Sequence, residues 1–328
     1  MLRRRFVGSG LMLSGALAAG SLAGGTEFTR SVAKAAEFTG ISAWLNTPES
    51  LSIAQCRGSV VLVNFWTYSC INSRRPMVYL KRWHAQYSPA GLRVIGIHTP
   101  EFQFEHNRSN VETYVKEAGI QFPVALDNSH GTWDSWDNQA WPGFHLVDRH
   151  GRIVLRRYGE GYAYEMEMAI RDALGLPHSG LEAHPDDDPD FSGIQSPEMY
   201  FGAIHPTTQA AVQSPRLGTA HYTFAGSTAP NLNRYLLDGT WTREDERLVQ
   251  VSPRGGLRVL FWAAKLYMVA YAPRPGFVRL RLNGGSESTS EISWPTLYTL
   301  VDGSSSGRNL LEIDSATPGL TLYSTTFG

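Results

Sequence analysis

Two side chains in the stretch 65-FWTYSCINSRRP-76 could do chemistry. Cys70 is a sulfur nucleophile. Ser73 stands three residues on, where a C-x-x-C motif would carry its second sulfur. A dithiol of that kind attacks a disulfide, forms a mixed disulfide and resolves it with its own second thiol. Cys70 can take the first step. Ser73 cannot take the last, because an alkoxide is a poor nucleophile here and no S–S product could form. Net turnover then requires a thiol from outside the chain. The helix expected to start here, the Ser73 hydroxyl, and Arg74 and Arg75 should all favour a thiolate at Cys70.

The other sulfur, Cys56, precedes the run 59-SVVLVNFW-66, which is continuous, apolar and β-branched, as a buried parallel strand requires. Seven strand residues at about 3.3 Å each separate the strand's ends by roughly 20 Å. A disulfide needs Cα atoms within about 7 Å. Cys56 is therefore expected to be a structural thiol remote from Cys70. No metal or cofactor is expected. His98, His106 and His130 fall on separate elements without an H-x-x-x-H pair. The GxG at 159–161 lacks the rest of a dinucleotide fingerprint, and Ser69 and Ser73 lack a G-x-S-x-G turn. Thr67-Tyr68-Ser69-Cys70 does form the T-x-x-C of peroxiredoxins, but the proline those proteins carry seven residues earlier is Val63 here.

Several elements must position this turn. Before it lie an apolar patch at 41–45 and a helical turn at 48–58. After it comes a helix pattern over 74–87, a strand over 92–99, and a helix over 108–119 with Ser109 as N-cap and Gly119 as stop. Then follow 121–127, a Trp/Asp/Asn-rich loop, a hairpin of strands 143–148 and 152–158, and a last helix over 163–175. The order βαβα then ββα predicts an α/β domain with a mixed sheet flanked by helices over 37–176. Residues 177–196, with 184-HPDDDPDF-191, read as a solvated linker. From 197 to 328 short alternating runs recur between Gly, Ser, Thr and Pro, including 234–241, 257–264, 266–272, 277–284, 296–301, 309–314 and 320–328. That texture predicts an all-β, jelly-roll-like sandwich.

Residues 1–36 read as an export signal of the twin-arginine type. Arg3, Arg4 and Arg5 precede Phe6 and a weakly apolar run, and Ala33-Lys34-Ala35 is a cleavage candidate. The expected location is periplasmic or otherwise extracytoplasmic. Lys and Arg total 29 against 30 Asp and Glu, a balance that does not suggest a nucleic-acid partner.

These residues resemble the thioredoxin superfamily. More closely, the chain resembles the soluble C-terminal region of the DipZ-type cytochrome c biogenesis proteins, through 60-VVLVNFWTYSCIN-72, 95-IGIHTPEFQFEHNRSNV-111, 137-DNQAWPGFHLVDRHGRI-153, 196-SPEMYFG-202 and 237-LDGTW-241. The resemblance implies a thioredoxin-like domain, then a carbohydrate-binding-module-like sandwich. It also implies that Pro142 is a cis-proline facing the thiol, with the backbone beside it aligning substrate, and that Trp66, Thr67, Tyr68 and Trp141 line the thiol's surroundings. Ser73 replaces the second cysteine of the family's C-I-N-C, and Asn64 stands where many thioredoxins carry a buried Asp.

Three function classes stay open. One is monothiol thiol–disulfide exchange on exported proteins bearing thiols or disulfides, resolved by an external thiol reductant. The second is a one-cysteine peroxidase. The third is a redox-inactive binding protein whose sandwich takes a glycan or protein, with Trp241, Trp262, Tyr267, Tyr271, Trp294 and Tyr298 as the candidate surface.

Overall fold

The computed structural model describes residues 33–179, 191–204, 217–224 and 229–328. Most of the expected export signal and most of the expected linker lie outside the described residues. The chain divides into two compact units. The first comprises the described residues of 1–67, 75–100 and 115–188; the second comprises those of 68–74, 101–114 and 189–328. The sequence placed 37–176 in one domain, whereas its segments 68–74 and 101–114 group with the β-rich unit.

The first unit is built on a seven-stranded mixed sheet. Its strands are β1 (Ala33–Lys34), β2 (Ala43–Leu45), β3 (Val60–Trp66), β4 (Leu92–His98), β5 (Val124–Leu126), β6 (Gly143–Val147) and β7 (Arg152–Tyr158). Their spatial order is β1-β7-β6-β3-β4-β5-β2. Strand β3 lies at the centre, parallel to β4 and antiparallel to β6, and all seven of its residues are buried. That explains its unbroken apolar run, since both faces are covered. Val61, Val63 and Phe65 pack with Ile95, Ile97 and Trp136, each such side chain contributing roughly 2 kcal/mol through burial. Gly96 on β4 is required by close approach: a Cβ there would meet Trp66 Nε1 at 2.8 Å.

The expected helix over 74–87 is two pieces, α1 (Ile71–Arg74) and α2 (Met77–Tyr87). Pro76 lies between them, and proline lacks the N–H and crowds the carbonyl four residues earlier. Helix α3 (Arg108–Glu117) begins one residue after Asn107, whose Oδ1 accepts the Ser109 N–H at 2.9 Å. Asn107, not Ser109, is the cap. Helix α4 (Gly131–Ser135) is short, and α5 (Ala163–Leu174) ends at Gly175, which has φ +74°.

The second unit holds a nine-stranded antiparallel sheet. Its strands are β8 (Met199–Tyr200), β9 (Gly218–Tyr222), β10 (Arg234–Arg243), β11 (Leu248–Gln250), β12 (Gly255–Tyr271), β13 (Gly276–Leu282), β14 (Glu287–Ile292), β15 (Thr296–Ser315) and β16 (Thr321–Phe327). Runs expected as separate strands are joined. Strand β12 continues through 257–264 and 266–272, with register shifts between Ala263 and Lys265 and again between Leu266 and Tyr267. Strand β15 likewise continues through 302-DGSSSGR-308. Gly307 pairs with Ala263 and Asp302 with Lys265, so the intervening residues bulge out of the ladder instead of reversing the chain. Alternating inward residues such as Leu237, Trp241, Leu257, Val259, Phe261 and Leu311 form the core.

Candidate active site

Cys70 follows the end of β3 and opens α1, where the sequence placed it. It is half-buried and free, and Cys56, also free, is buried in the core of the first unit. Cys56 packs in that core as a structural thiol.

The Ser73 N–H donates to the Cys70 carbonyl at 3.1 Å. The Ser73 side chain, fully buried, hydrogen-bonds to the Cys70 sulfur. The expected thiolate-favouring environment is not present. Burial pushes the Cys70 thiol well up, the carboxyl groups of Glu101 and Glu198 push it further, and hydrogen bonds to the sulfur from the Ser73 backbone N–H and side chain oppose them. The basic side chains are spent elsewhere. Arg74 Nε donates to the Tyr68 carbonyl at 2.6 Å and Nη2 to Thr296 Oγ1 at 2.6 Å, with its guanidinium 4.9 Å from the Tyr114 ring. Arg75 pairs with Glu160 at 3.0 Å. A four-residue α1 has little dipole to offer.

The turn is held by a residue the sequence reading did not single out. Glu105 is wholly buried. Its Oε1 accepts from Ser69 Oγ at 2.6 Å and from the Ser69 N–H at 3.2 Å. Its Oε2 accepts from the N–H groups of Glu101 at 2.6 Å and Phe102 at 2.9 Å. One carboxylate thus ties the residue before the cysteine to the 101–105 loop. Ile71, the residue after it, packs with Phe102, Tyr267, Val269, Leu297 and Tyr323.

Three of the four expected lining residues are fully buried. Trp66 is fully buried in β3, 5.1 Å from the His98 ring. Thr67 is fully buried with Oγ1 3.4 Å from His98 Nε2. Tyr68 is fully buried, stacks on Tyr114 and Trp294, and donates to the Pro295 carbonyl at 3.1 Å. None of the three offers a surface to substrate. Trp141 is half-buried; its Nε1 donates to the Thr99 carbonyl at 3.0 Å and its ring meets Trp133 at 4.5 Å. The Trp141–Pro142 peptide is cis, as the resemblance implied. Asn64 donates from Nδ2 to the Gly143 carbonyl at 3.3 Å.

The aromatic residues considered as a binding surface are not exposed. Trp241 and Tyr267 are buried, and Trp262, Tyr271, Trp294 and Tyr298 are half-covered. Tyr298 spends its hydroxyl on the Trp294 carbonyl at 2.7 Å. Among the described residues no group of three His, Cys, Asp or Glu side chains could hold a metal, and no helix is long and apolar enough to cross a membrane.

Residues 33–156 match the model of the AhpC/TSA family, and residues 196–328 match that of a thioredoxin like C-terminal domain. The DipZ proteins of Mycobacterium bovis and Mycobacterium tuberculosis are 31% identical over 304 residues, 90% of this chain. These matches make the chain thioredoxin-like over its first part, with a thioredoxin like C-terminal domain after it. It spans 43% of the length of those DipZ proteins. A second relative is the thiol-disulfide oxidoreductase ResA of Halalkalibacterium halodurans, 26% identical over 32% of this chain and 57% of its own. Among solved structures, a thiol-disulfide isomerase from Corynebacterium glutamicum aligns with 44% of this chain and 98% of its own, at 24% identity and a TM-score of 0.39.

Proposed function

We propose that this chain performs thiol–disulfide exchange through Cys70 alone, outside the cytoplasm, with an external thiol completing each cycle. The observation that carries this reading is the pairing of Cys70 with Ser73. The serine hydroxyl meets the sulfur from the position a second sulfur would need, and Cys56 is buried away in a core. The name of the ResA relative supports the reaction class. The R-R-R-F start and the Ala-rich run after it support export.

In the first step the Cys70 sulfur loses its proton and attacks a disulfide R–S–S–R′. Cys70–S–S–R forms and R′ leaves as a thiolate that takes up a proton. An external thiol then attacks the mixed disulfide, carries R away and returns Cys70 to the thiol. A thiol of raised pKa is a strong nucleophile once ionised and a poor leaving group. The mixed disulfide at Cys70 should therefore be long-lived, which suits a chain that captures exported clients and waits for glutathione or a dithiol partner.

Incubation with glutathione disulfide followed by intact-mass spectrometry tests this. An adduct on Cys70, absent in Cys70→Ala and retained until free thiol is added, is the expected result. Ser73→Cys should release the adduct by forming an internal disulfide. No adduct at any pH from neutral to alkaline would overturn the proposal.

The AhpC/TSA match supports a second reading, a one-cysteine peroxidase, in which peroxide converts Cys70 to a sulfenic acid. The buried position of Thr67 beside His98 gives it no help in polarising a peroxide. Trapping of sulfenic acid on Cys70 at low peroxide separates the two readings.

A further inference from the structure

The turn that carries Cys70 is held by a distant stretch of the same unit. Residues 68–74 group with the β-rich segments, and four consecutive residues, Trp294 to Leu297, meet them where β15 begins. The Trp294 ring stacks on Tyr68 with centroids 5.8 Å apart. The Pro295 carbonyl accepts from the Tyr68 hydroxyl at 3.1 Å. Thr296 Oγ1 accepts from Arg74 Nη2 at 2.6 Å, and the Leu297 carbonyl accepts from Arg74 Nη1 at 3.4 Å. The Leu297 side chain shares one apolar cluster with Ile71. Thr296 and Leu297 are themselves fixed in the ladder, opposite Ala270 and Val269 of β12.

Arg74 carries this hold to the cysteine. Its Nε donates to the Tyr68 carbonyl at 2.6 Å, six residues back, so the side chain closes a ring over the turn. The N–H of the same peptide, on Ser69, donates to Glu105 Oε1 at 3.2 Å. The planar Tyr68–Ser69 peptide is therefore pinned at both ends. On the other side, the Cys70 carbonyl accepts the N–H groups of Ser73 at 3.1 Å and Arg74 at 3.0 Å. With the backbone held before and after Cys70, rotation about its side-chain bond is the main freedom left to the sulfur. A guanidinium can send three nitrogens to three acceptors in one plane. A lysine ammonium on a flexible stem cannot reproduce that fork.

We infer that Trp294–Leu297 is a strap that presents the Cys70 sulfur for attack, with Arg74 and Thr296 as positioning residues. The inference rests on the exchange reading above and adds the part played by the start of β15. Thiol–disulfide exchange is a substitution in which the attacking sulfur lies on the axis of the bond being broken. A misdirected thiolate therefore loses rate even when ionised. Cys70–S⁻ plus R–S–S–R′ gives Cys70–S–S–R plus R′–S⁻, and the strap adds no group to that balance. In the second step the external thiolate attacks the same sulfur pair, which the strap keeps in place. Trp294–Leu297 lies within the segment matched as a thioredoxin like C-terminal domain. That segment then has a part in exchange and is more than an appended binder.

The test follows two reactions of Cys70 in the full chain over a pH series, alkylation by small, undemanding iodoacetamide and exchange with glutathione disulfide. Both need the thiolate, so the ratio of their rates at each pH cancels the ionised fraction and reports direction of attack. Thr296→Val removes an acceptor of Arg74 without changing charge or size. Its ratio of exchange to alkylation should fall about fivefold at every pH. Hydrogen exchange at the Ser73 and Arg74 amides should quicken. Thr296→Ser keeps the hydroxyl and should restore both. Arg74→Lys keeps the charge, loses the fork and should lower the ratio about tenfold. Circular dichroism checks each fold, and Tyr68→Phe, which gives up the bond to Pro295, serves if Thr296→Val does not fold. A wild-type ratio in folded Thr296→Val would overturn the strap, as would equal slowing of both reactions. Failure of the wild type to form any mixed disulfide would overturn the exchange reading instead. In that event, amides that still quicken in Thr296→Val keep the strap and unchanged ones remove it.

Discussion

Cys70 is half-buried, and both that burial and the carboxyl groups of Glu101 and Glu198 disfavour its thiolate. Ser73 works for the charged form, since its hydroxyl can donate to S⁻ but cannot replace it as a nucleophile. Chemistry at this sulfur is thus set by burial more than by the helix it opens. Burial governs a second side chain in the first unit. His145 on β6 is fully buried among Phe65, Trp136 and Tyr158, with Nε2 3.1 Å from Asn138 Oδ1. Burial first, and Arg156 second, lower its pKa to about 3. The unfolded chain takes up this proton near pH 6.5, and the folded chain resists it until about pH 3. Stability from this group is complete above about pH 6.5 and is lost as pH falls between those values, by an amount on the order of 4 kcal/mol. His145→Gln should flatten the fall in urea midpoint between neutral pH and pH 4. An unchanged slope would show that the acid sensitivity lies elsewhere.

At the scale of elements, the 101–105 loop and the β3–α1 turn are one structure through Glu105. The turn at Gln103–His106 has half a capping box. Glu105 reaches back to the Phe102 N–H, and Phe102 has no side-chain acceptor to reciprocate. Glu105→Gln sets an amide NH2 against donors and removes charge-assisted bonds, at a cost of about 2 kcal/mol. Hydrogen exchange at the Ser69 and Phe102 amides should quicken, with thermal unfolding moved down by several degrees. Protection equal to wild type would remove Glu105 from its positioning role. Local signals made part of this legible. The unbroken β-branched run showed β3, and the strand-to-helix setting showed Cys70 and Ser73. Contacts across many residues did not show. Glu105 meets Ser69 across 36 positions, Tyr200 meets Glu101 across 99, and Glu198 meets Thr326 across 128. The only trace was that Glu101, Glu105 and Glu198 fall within segments that carry the family resemblance, 95–111 and 196–202. Bulges misled in the β-rich unit, because Lys265 and DGSSSG have the composition of turns while the ladder runs past them.

For the whole molecule, the first residues described bear on export. Ala33 and Lys34 pair with Ile153 and Arg152 as edge strand β1, and the Ala35 N–H donates to the Gly151 carbonyl at 3.0 Å. Cleavage after Ala35 would strip that strand and leave the β7 edge unpaired. With export as proposed, the mass of the mature protein should place its N-terminus before Ala33; a start at Ala36 would refute this. The central claim concerns one sulfur acting without a second. It is tested most directly by the fate of a glutathione adduct on wild type and on Ser73→Cys after excess disulfide is removed. Wild type should keep the adduct on Cys70 until an external thiol is added, and Ser73→Cys should shed it unaided. Spontaneous loss from the wild type at the same rate, or no adduct on either protein, would contradict the account.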